Sequence, residues 1–134
     1  CNGREQMCRL FIGARSELWE SRAKSLRIDG VATSIRMETF FWDTLDEIAA
    51  RDDMTSNQLI TKLYHEAMDA DHDVGNFTSF LRVCCARYHS LMAAGDIPRA
   101  LSESIAGLEA EAILAREENR LSDRRTETAG SSVN

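Results

Sequence analysis

Between Ser25 and Met37 the apolar positions alternate: Leu26-Arg27-Ile28, then Asp29-Gly30, then Val31-Ala32-Thr33-Ser34-Ile35-Arg36-Met37. A period of two with β-branched residues predicts extended strand, and Asp-Gly supplies the positive φ angles that a tight hairpin turn requires. From Thr39 or Glu38 the period lengthens. Phe41, Leu45, Ile48 and Ala49 recur at helical spacing with Asp43, Asp46 and Glu47 between them, which predicts an amphipathic helix ending near Asp52. Thr55 or Ser56 offers a hydroxyl N-cap for a second helix, striped by Leu59, Ile60, Leu63, Tyr64, Ala67 and Met68. After a break at residues 71–75, Asn76 or Thr78 can cap a third helix. Its face carries Phe77, Phe80, Leu81, Cys84, Cys85, Tyr88 and Leu91, and Gly95-Asp96-Ile97-Pro98 stops it. Leu101, Ile105, Leu108, Ala112 and Ala115 form a heptad-like seam, predicting a fourth helix over residues 99–121 that wants a partner. The first 25 residues lack a clear period apart from a short helical stretch at 16–21, and residues 122–134 read as a disordered tail. The expected organisation is an arm (1–25), a core (26–95), a C-terminal helix (96–121) and the tail.

Composition agrees with a soluble, largely helical chain: 134 residues, 43% hydrophobic, one proline. The net charge of −6 argues against indiscriminate coating of nucleic acid. That average conceals an asymmetry, because residues 1–37 hold seven basic side chains against four acidic ones, a balance of +3, leaving −9 on the remainder. Cys1, Cys8, Cys84 and Cys85 include no CxxC pair, and adjacent Cys84 and Cys85 cannot bridge each other without a strained ring, so reduced thiols in a cytoplasmic protein are expected. No apolar run approaches the roughly 18 residues of a membrane span, and the apolar stretch from Leu10 to Ala14 is too short for a signal-peptide core. A mature lipoprotein also begins with cysteine, but a truncated start is the better account, with Met7 as a candidate initiator.

One short strand followed by two helices would leave its backbone groups unpaired, and two copies solve that problem by pairing their strands antiparallel about a twofold axis. The ribbon so formed is narrow enough for a DNA major groove. Alternation turns Ile35 and Met37 inward and Ala32, Ser34 and Arg36 outward. Thr33-Ser34-Ile35-Arg36-Met37, the Phe41/Leu45/Ile48 helix, Asp53-Met54-Thr55-Ser56-Asn57 and the Leu59/Ile60/Leu63 helix together resemble the ribbon-helix-helix family of bacterial and phage repressors. The longer run 25–91, with Gly30-Val31-Ala32-Thr33-Ser34-Ile35 and Asn76-Phe77-Thr78-Ser79-Phe80-Leu81-Arg82, resembles an uncharacterised proteobacterial subgroup with an added helix; residues 92–134 fall outside that likeness.

The resemblance implies a mainly α, ribbon-helix-helix dimer with additional C-terminal helices, binding double-stranded DNA. It is expected to act as a transcriptional repressor or autoregulator. Base contacts map to Ala32, Ser34 and Arg36. Arg36 is the strongest, because its fork fits both acceptors of a guanine, whereas Ala32 replaces the polar residue expected and can at most touch a thymine methyl. The phosphate anchor at the start of the second helix maps to Thr55, Ser56 and Asn57, where free N–H groups and the helix dipole favour an anion. Arg27 and Lys24 could add backbone contacts. Ile35, Met37, Phe41, Leu45, Ile48, Leu59, Ile60 and Leu63 are the expected dimer core, with Phe40 and Trp42 there rather than stacking on bases.

Plainer readings stand beside these. Arg36 would be ordinary on any exposed strand, and capping alone would account for Thr55-Ser56-Asn57. Cys85 and His89 stand four apart on a helix and with His65, His72 and Asp73 form a weak metal alternative, although thiols on an apolar face usually pack as small hydrophobes. Nothing readable activates Cys84 or Cys85 as a nucleophile, so neither enzymatic activity nor a cofactor is expected. The main rival is a helical interaction module that uses its core only to dimerise. Its acidic fourth helix would bind a protein or a second dimer.

Overall fold

The computed structural model describes residues 3–131. The chain opens with helix α1 (Gly3–Ile12) and a 3-10 turn (Ser16–Trp19), and continues into strands β1 (Ser21–Ile28) and β2 (Val31–Glu38). Helices α2 (Thr39–Ala50) and α3 (Ser56–Asp69), a second 3-10 turn (Val74–Asn76), and helices α4 (Phe77–Ala93) and α5 (Ala110–Ser131) follow.

β1 and β2 pair antiparallel with each other, in the register Ser21↔Glu38 through Ile28↔Val31. Asp29 (φ 55°) and Gly30 (φ 80°) both adopt positive φ, the geometry of a type I′ turn, whose twist matches that of the strands it joins. Here the structure corrects the expectation from sequence. The partner strand comes from the same chain, because β1 begins at Ser21, inside the 1–25 arm for which the sequence predicts only a short helical stretch at 16–21, and supplies eight residues of extended backbone. Small and charged residues in Ser21-Arg22-Ala23-Lys24 had masked it. Thr39 closes the open end of the hairpin by giving its amide (2.9 Å) and its hydroxyl (3.2 Å) to the Glu20 carbonyl.

One face of the hairpin buries Leu26, Ile28, Ile35 and Met37. α2, α3 and α4 cover it, and Trp42, Leu45, Ile60, Phe77, Leu81 and Cys85 complete a continuous core. Of the residues expected to form a dimer core, Ile35, Met37, Leu45 and Ile60 are thus already buried within one chain, as is Trp42. Phe41, Leu59 and Leu63 pack half-buried around this core, and Ile48 around a second one built on Tyr88, Leu91, Ile97 and Ile113. Phe40 remains 42% exposed.

The three central helices end alike. Asp53, Asp71 and Gly95 take positive φ, and the amides that follow them reach back five residues: Met54 to Ala49, His72 to Ala67 and Asp96 to Leu91, at 2.9–3.0 Å. Each is a left-handed cap that satisfies carbonyls the helix leaves open. α3 starts on a capping box, with Thr55 Oγ1 accepting from the Gln58 amide (3.2 Å) and Gln58 Oε1 accepting from the Thr55 amide (2.9 Å).

The C-terminal region departs from the expected heptad seam. Residues 99–109 form no helix, and Leu101 is exposed. The Asp52 carboxylate instead accepts from the Ser104 hydroxyl and from the amides of Ile105 (3.1 Å) and Ala106 (3.3 Å), so that acid, not an i−4 carbonyl, takes up the loop amides. α5 then runs through Ser131, where residues 122–131 had read as disordered; positions 132–134 lie outside the described residues. Helix propagation needs no new nucleus once a docked segment exists, and Arg124, Arg125 and Glu127 are good helix formers despite lacking an apolar stripe.

α5 is fastened by carboxylates. Arg87 pairs with Glu117 through two contacts (2.9 and 2.5 Å), and Asp96, whose side chain is 6% exposed, receives Arg116 (2.7 Å) and Arg120 (2.9 Å). The hydrogen bond from Arg116 holds the Asp96 carboxyl below its usual range, Arg87 does the same for Glu117, and Ser104 for Asp52. A carboxylate whose folded pKa is depressed stabilises the fold above its unfolded pKa and loses that contribution as pH falls through the folded value. Acidification below about pH 4 is therefore expected to release α5 and loop 99–109 before the hairpin core. Amide protection factors, corrected for intrinsic exchange rates, check this. Unchanged protection of α5 down to pH 3 contradicts it.

Candidate nucleic-acid interface

Directly opposed residues of an antiparallel pair share a face. The buried face of the hairpin therefore also carries Lys24, opposite Ile35, and Arg22, opposite Met37. The outer face carries Arg27 opposite Ala32, Ser25 opposite Ser34, and Ala23 opposite Arg36, all exposed. Among the described residues nothing packs over that face. Arg36 meets no carboxylate there. Glu38, at the end of the same row, is engaged by Arg82 of α4 (Nε to Oε1, 3.0 Å), whose hydrogen bond lowers its pKa. The result is a positive strip two strands wide, backed by a packed core.

The turn is tied to α3 by His65 Nε2 and Asp29 Oδ1 at 2.7 Å. Half-exposed, this contact adds little stability, but it orients the tip of the ribbon. Arg27, Asn57, Gln58, Thr61, Lys62, His65 and Glu66 line an open polar cleft beside the strip, so the first turn of α3 lies next to the ribbon. Thr55 uses its hydroxyl as the N-cap. The amides of Ser56 and Asn57 belong to the open first turn, where a helix offers no partners.

Sequence reasoning thus anticipated the outward row Ala32, Ser34 and Arg36 and the inward pair Ile35 and Met37. It grouped Arg27 with flanking contacts, whereas the register sets Arg27 on the strip itself. Lys24 goes the other way: its ammonium lies 4.8 Å from the centroid of the Trp42 ring, on the side opposite Arg36, held by a cation–π contact. The sequence pattern assigns Ala23 and Ser25 no place on the strip. Only the Asp-Gly turn hinted at them, since a hairpin implies a strand on each side.

The metal alternative does not assemble. Among the described residues no three His, Cys, Asp or Glu side chains gather to hold an ion. His89 meets the Thr44 hydroxyl (3.1 Å), His65 meets Asp29, and Cys85 donates to the Phe41 carbonyl (3.6 Å). Burial pushes the Cys85 thiol up to about 12, with Cys84 adding to the shift, and burial also raises Cys84. At neutral pH both are thiols, not nucleophilic thiolates.

The ribbon-helix-helix domain family matches residues 21–89, just over half of the chain. A solved structure similar to this one is that of an uncharacterized protein from Bordetella pertussis Tohama I, 49% identical. The likeness covers 85% of this chain and 89% of that one with a TM-score of 0.79, so it extends beyond the matched domain. No curated protein matches.

Proposed function

Because the chain belongs to the ribbon-helix-helix family, whose domains generally bind DNA as transcription regulators, we propose that it binds double-stranded DNA sequence-specifically, as a repressor or autoregulator. The observation that carries this is the bare outer strip of the hairpin, with Arg36 unpaired, Ser34 in the middle and Ala32 flat beside them. Two strands about 5 Å apart fit a major groove about 12 Å wide. Arg36 takes the O6 and N7 of a guanine, Ser34 a less selective base edge, and Ala32 a thymine methyl. Ser56 and Asn57, at the first turn of α3 that Thr55 caps, hold a backbone phosphate.

Family domains typically dimerise. Ile48, Leu59 and Leu63, left half-buried, line an apolar groove with Leu91, Ile97 and Ile105, and this is the surface we assign to a second copy. A homodimer demands a roughly palindromic or repeated site. The described residues include no helix long and apolar enough to cross a membrane. A protein-binding role for the C-terminal helix is the second reading. Leu114 and Leu121, seven apart on α5 and both exposed, favour it.

Fluorescence anisotropy of the full chain against genomic fragments at two salt concentrations tests the DNA reading. Salt-sensitive binding that resists nonspecific competitor is expected, and Arg36→Ala is expected to cost about 1–3 kcal/mol at a preferred site and far less elsewhere. Absence of selective binding by the folded protein would move the assignment to protein interaction.

A further inference from the structure

Resting on that DNA reading, we infer that Arg27 is a second base-reading residue, and that one chain therefore recognises two guanines with the two strands of its own hairpin. A lone strand reads with alternate residues of one segment. Here the register adds a second row: Arg27, Ser25 and Ala23 lie beside Ala32, Ser34 and Arg36 on the same exposed face. Long and short side chains alternate across it. Each arginine faces an alanine, and the centre is a pair of serines.

That pattern accounts for Ala32, which lacks the polar group the outward row otherwise supplies. Its methyl leaves room for the Arg27 side chain opposite, so the donor missing from β2 is provided by β1. Ala23 stands in the same relation to Arg36 at the other end. The small residues let the strip approach the groove floor while the two forks project.

Arg27 is held ready but not occupied by an acid. Its Nη1 donates to the Gly30 carbonyl at 3.1 Å, a single exposed contact that leaves the rest of the guanidinium open. Asp29, the nearest carboxylate in sequence, is engaged by His65 of α3. Ala32 and Arg36 are four positions apart, which at strand rise is about 13 Å, so Arg27 and Arg36 stand that far apart along the ribbon. With base pairs stacked about 3.4 Å apart, the two forks span about three to four base-pair steps. The substrate is then a duplex whose half-site carries two G·C pairs at that spacing.

Selection of sites by the full chain from a random duplex pool, followed by anisotropy on the selected site across a salt series, tests this with Arg27→Ala and Arg36→Ala. Both side chains are exposed, and circular dichroism melts check that both variants fold. Wild type is expected to enrich two G·C positions three to four pairs apart. Arg27→Ala is expected to lose preference at one of them only, binding the selected site about 5- to 150-fold more weakly, while Arg36→Ala loses the other. Uniform weakening of all sequences by Arg27→Ala, with the salt slope reduced by about one, would identify a phosphate contact and overturn the inference, as would an unchanged selected site. If Arg36 alone governs sequence preference, only this inference falls. If folded wild type enriches nothing, the DNA reading falls with it.

Discussion

Replacement of Trp42 by alanine is expected to destabilise the protein by about 3–5 kcal/mol, a large part of the stability of a domain this size. The side chain is fully buried, and it joins the helices to the ribbon in three ways. Its ring fills the core beneath Ile35 and Met37, its Nε1–H donates to the Arg22 carbonyl of β1 at 2.9 Å, and Lys24 of β1 lies over its face. Loss of the ring leaves a cavity that the surrounding helices cannot collapse into without moving, and it removes a side-chain hydrogen bond from α2 to β1. Urea denaturation measures the loss. Trp42→Phe, which keeps most of the volume but not the donor, is expected to cost less. If Trp42→Ala costs under about 1 kcal/mol, the core is not organised around this residue.

Arg51→Ala is expected to cost a comparable amount, about 3–5 kcal/mol, because one buried guanidinium holds three partners and a hydrogen bond to a charged group contributes about 1.5–3 kcal/mol. Arg51 is 5% exposed and caps α2. Its Nε donates to the Tyr88 hydroxyl (2.9 Å), which donates in turn to Glu47 (2.5 Å), so a phenol bridges a buried cation to a carboxylate. Burial, and next the bond to Glu47, raise the Tyr88 pKa, which keeps that proton in place. Nη1 and Nη2 reach the Glu103 carbonyl and the Met92 sulfur, each at 3.4 Å. Without the guanidinium, the Tyr88 hydroxyl loses its donor, half-buried Glu47 loses the cation at the other side of the phenol, and loop 99–109 loses its tie through the Glu103 carbonyl. Tyr88→Phe is expected to cost about 1–3 kcal/mol, since it strands the Arg51 donor but retains both ions. Equal losses for the two substitutions, measured by denaturant titration, would mean that the Arg51–Tyr88 hydrogen bond, and not the charge of the guanidinium, carries the effect.

The two substitutions also separate the ribbon from the C-terminal region. Trp42 acts on the hairpin, so Trp42→Ala should impair DNA selection together with folding. Arg51 lies on the opposite end of α2, against α4 and loop 99–109. A protein carrying Arg51→Ala that remains folded at low temperature should still select the same DNA sites.

Local sequence determined a good deal. Asp29-Gly30 specifies the turn because few residue pairs tolerate two successive positive φ angles, and period-two alternation specifies that Ile35 and Met37 face the core while Ala32, Ser34 and Arg36 face outward. The apolar stripes of α2, α3 and α4 and the Thr55 cap were legible for the same reason: each depends on residues within a few positions of one another. The rest was decided in three dimensions. Ser21 to Lys24 carry little intrinsic strand signal, and they are extended because β2 offers them a row of backbone partners and Trp42 and Thr39 hold their ends. That pairing is what sets Arg27 beside Ala32, a relation between side chains that no period along either strand contains. Residues 99–109 have the spacing of a helix and do not form one; Asp52, some fifty positions earlier, accepts the amides of Ile105 and Ala106 in its place. Periodicity reports which face of an element is apolar. Which element, or which distant carboxylate, satisfies the backbone is a property of the packed fold.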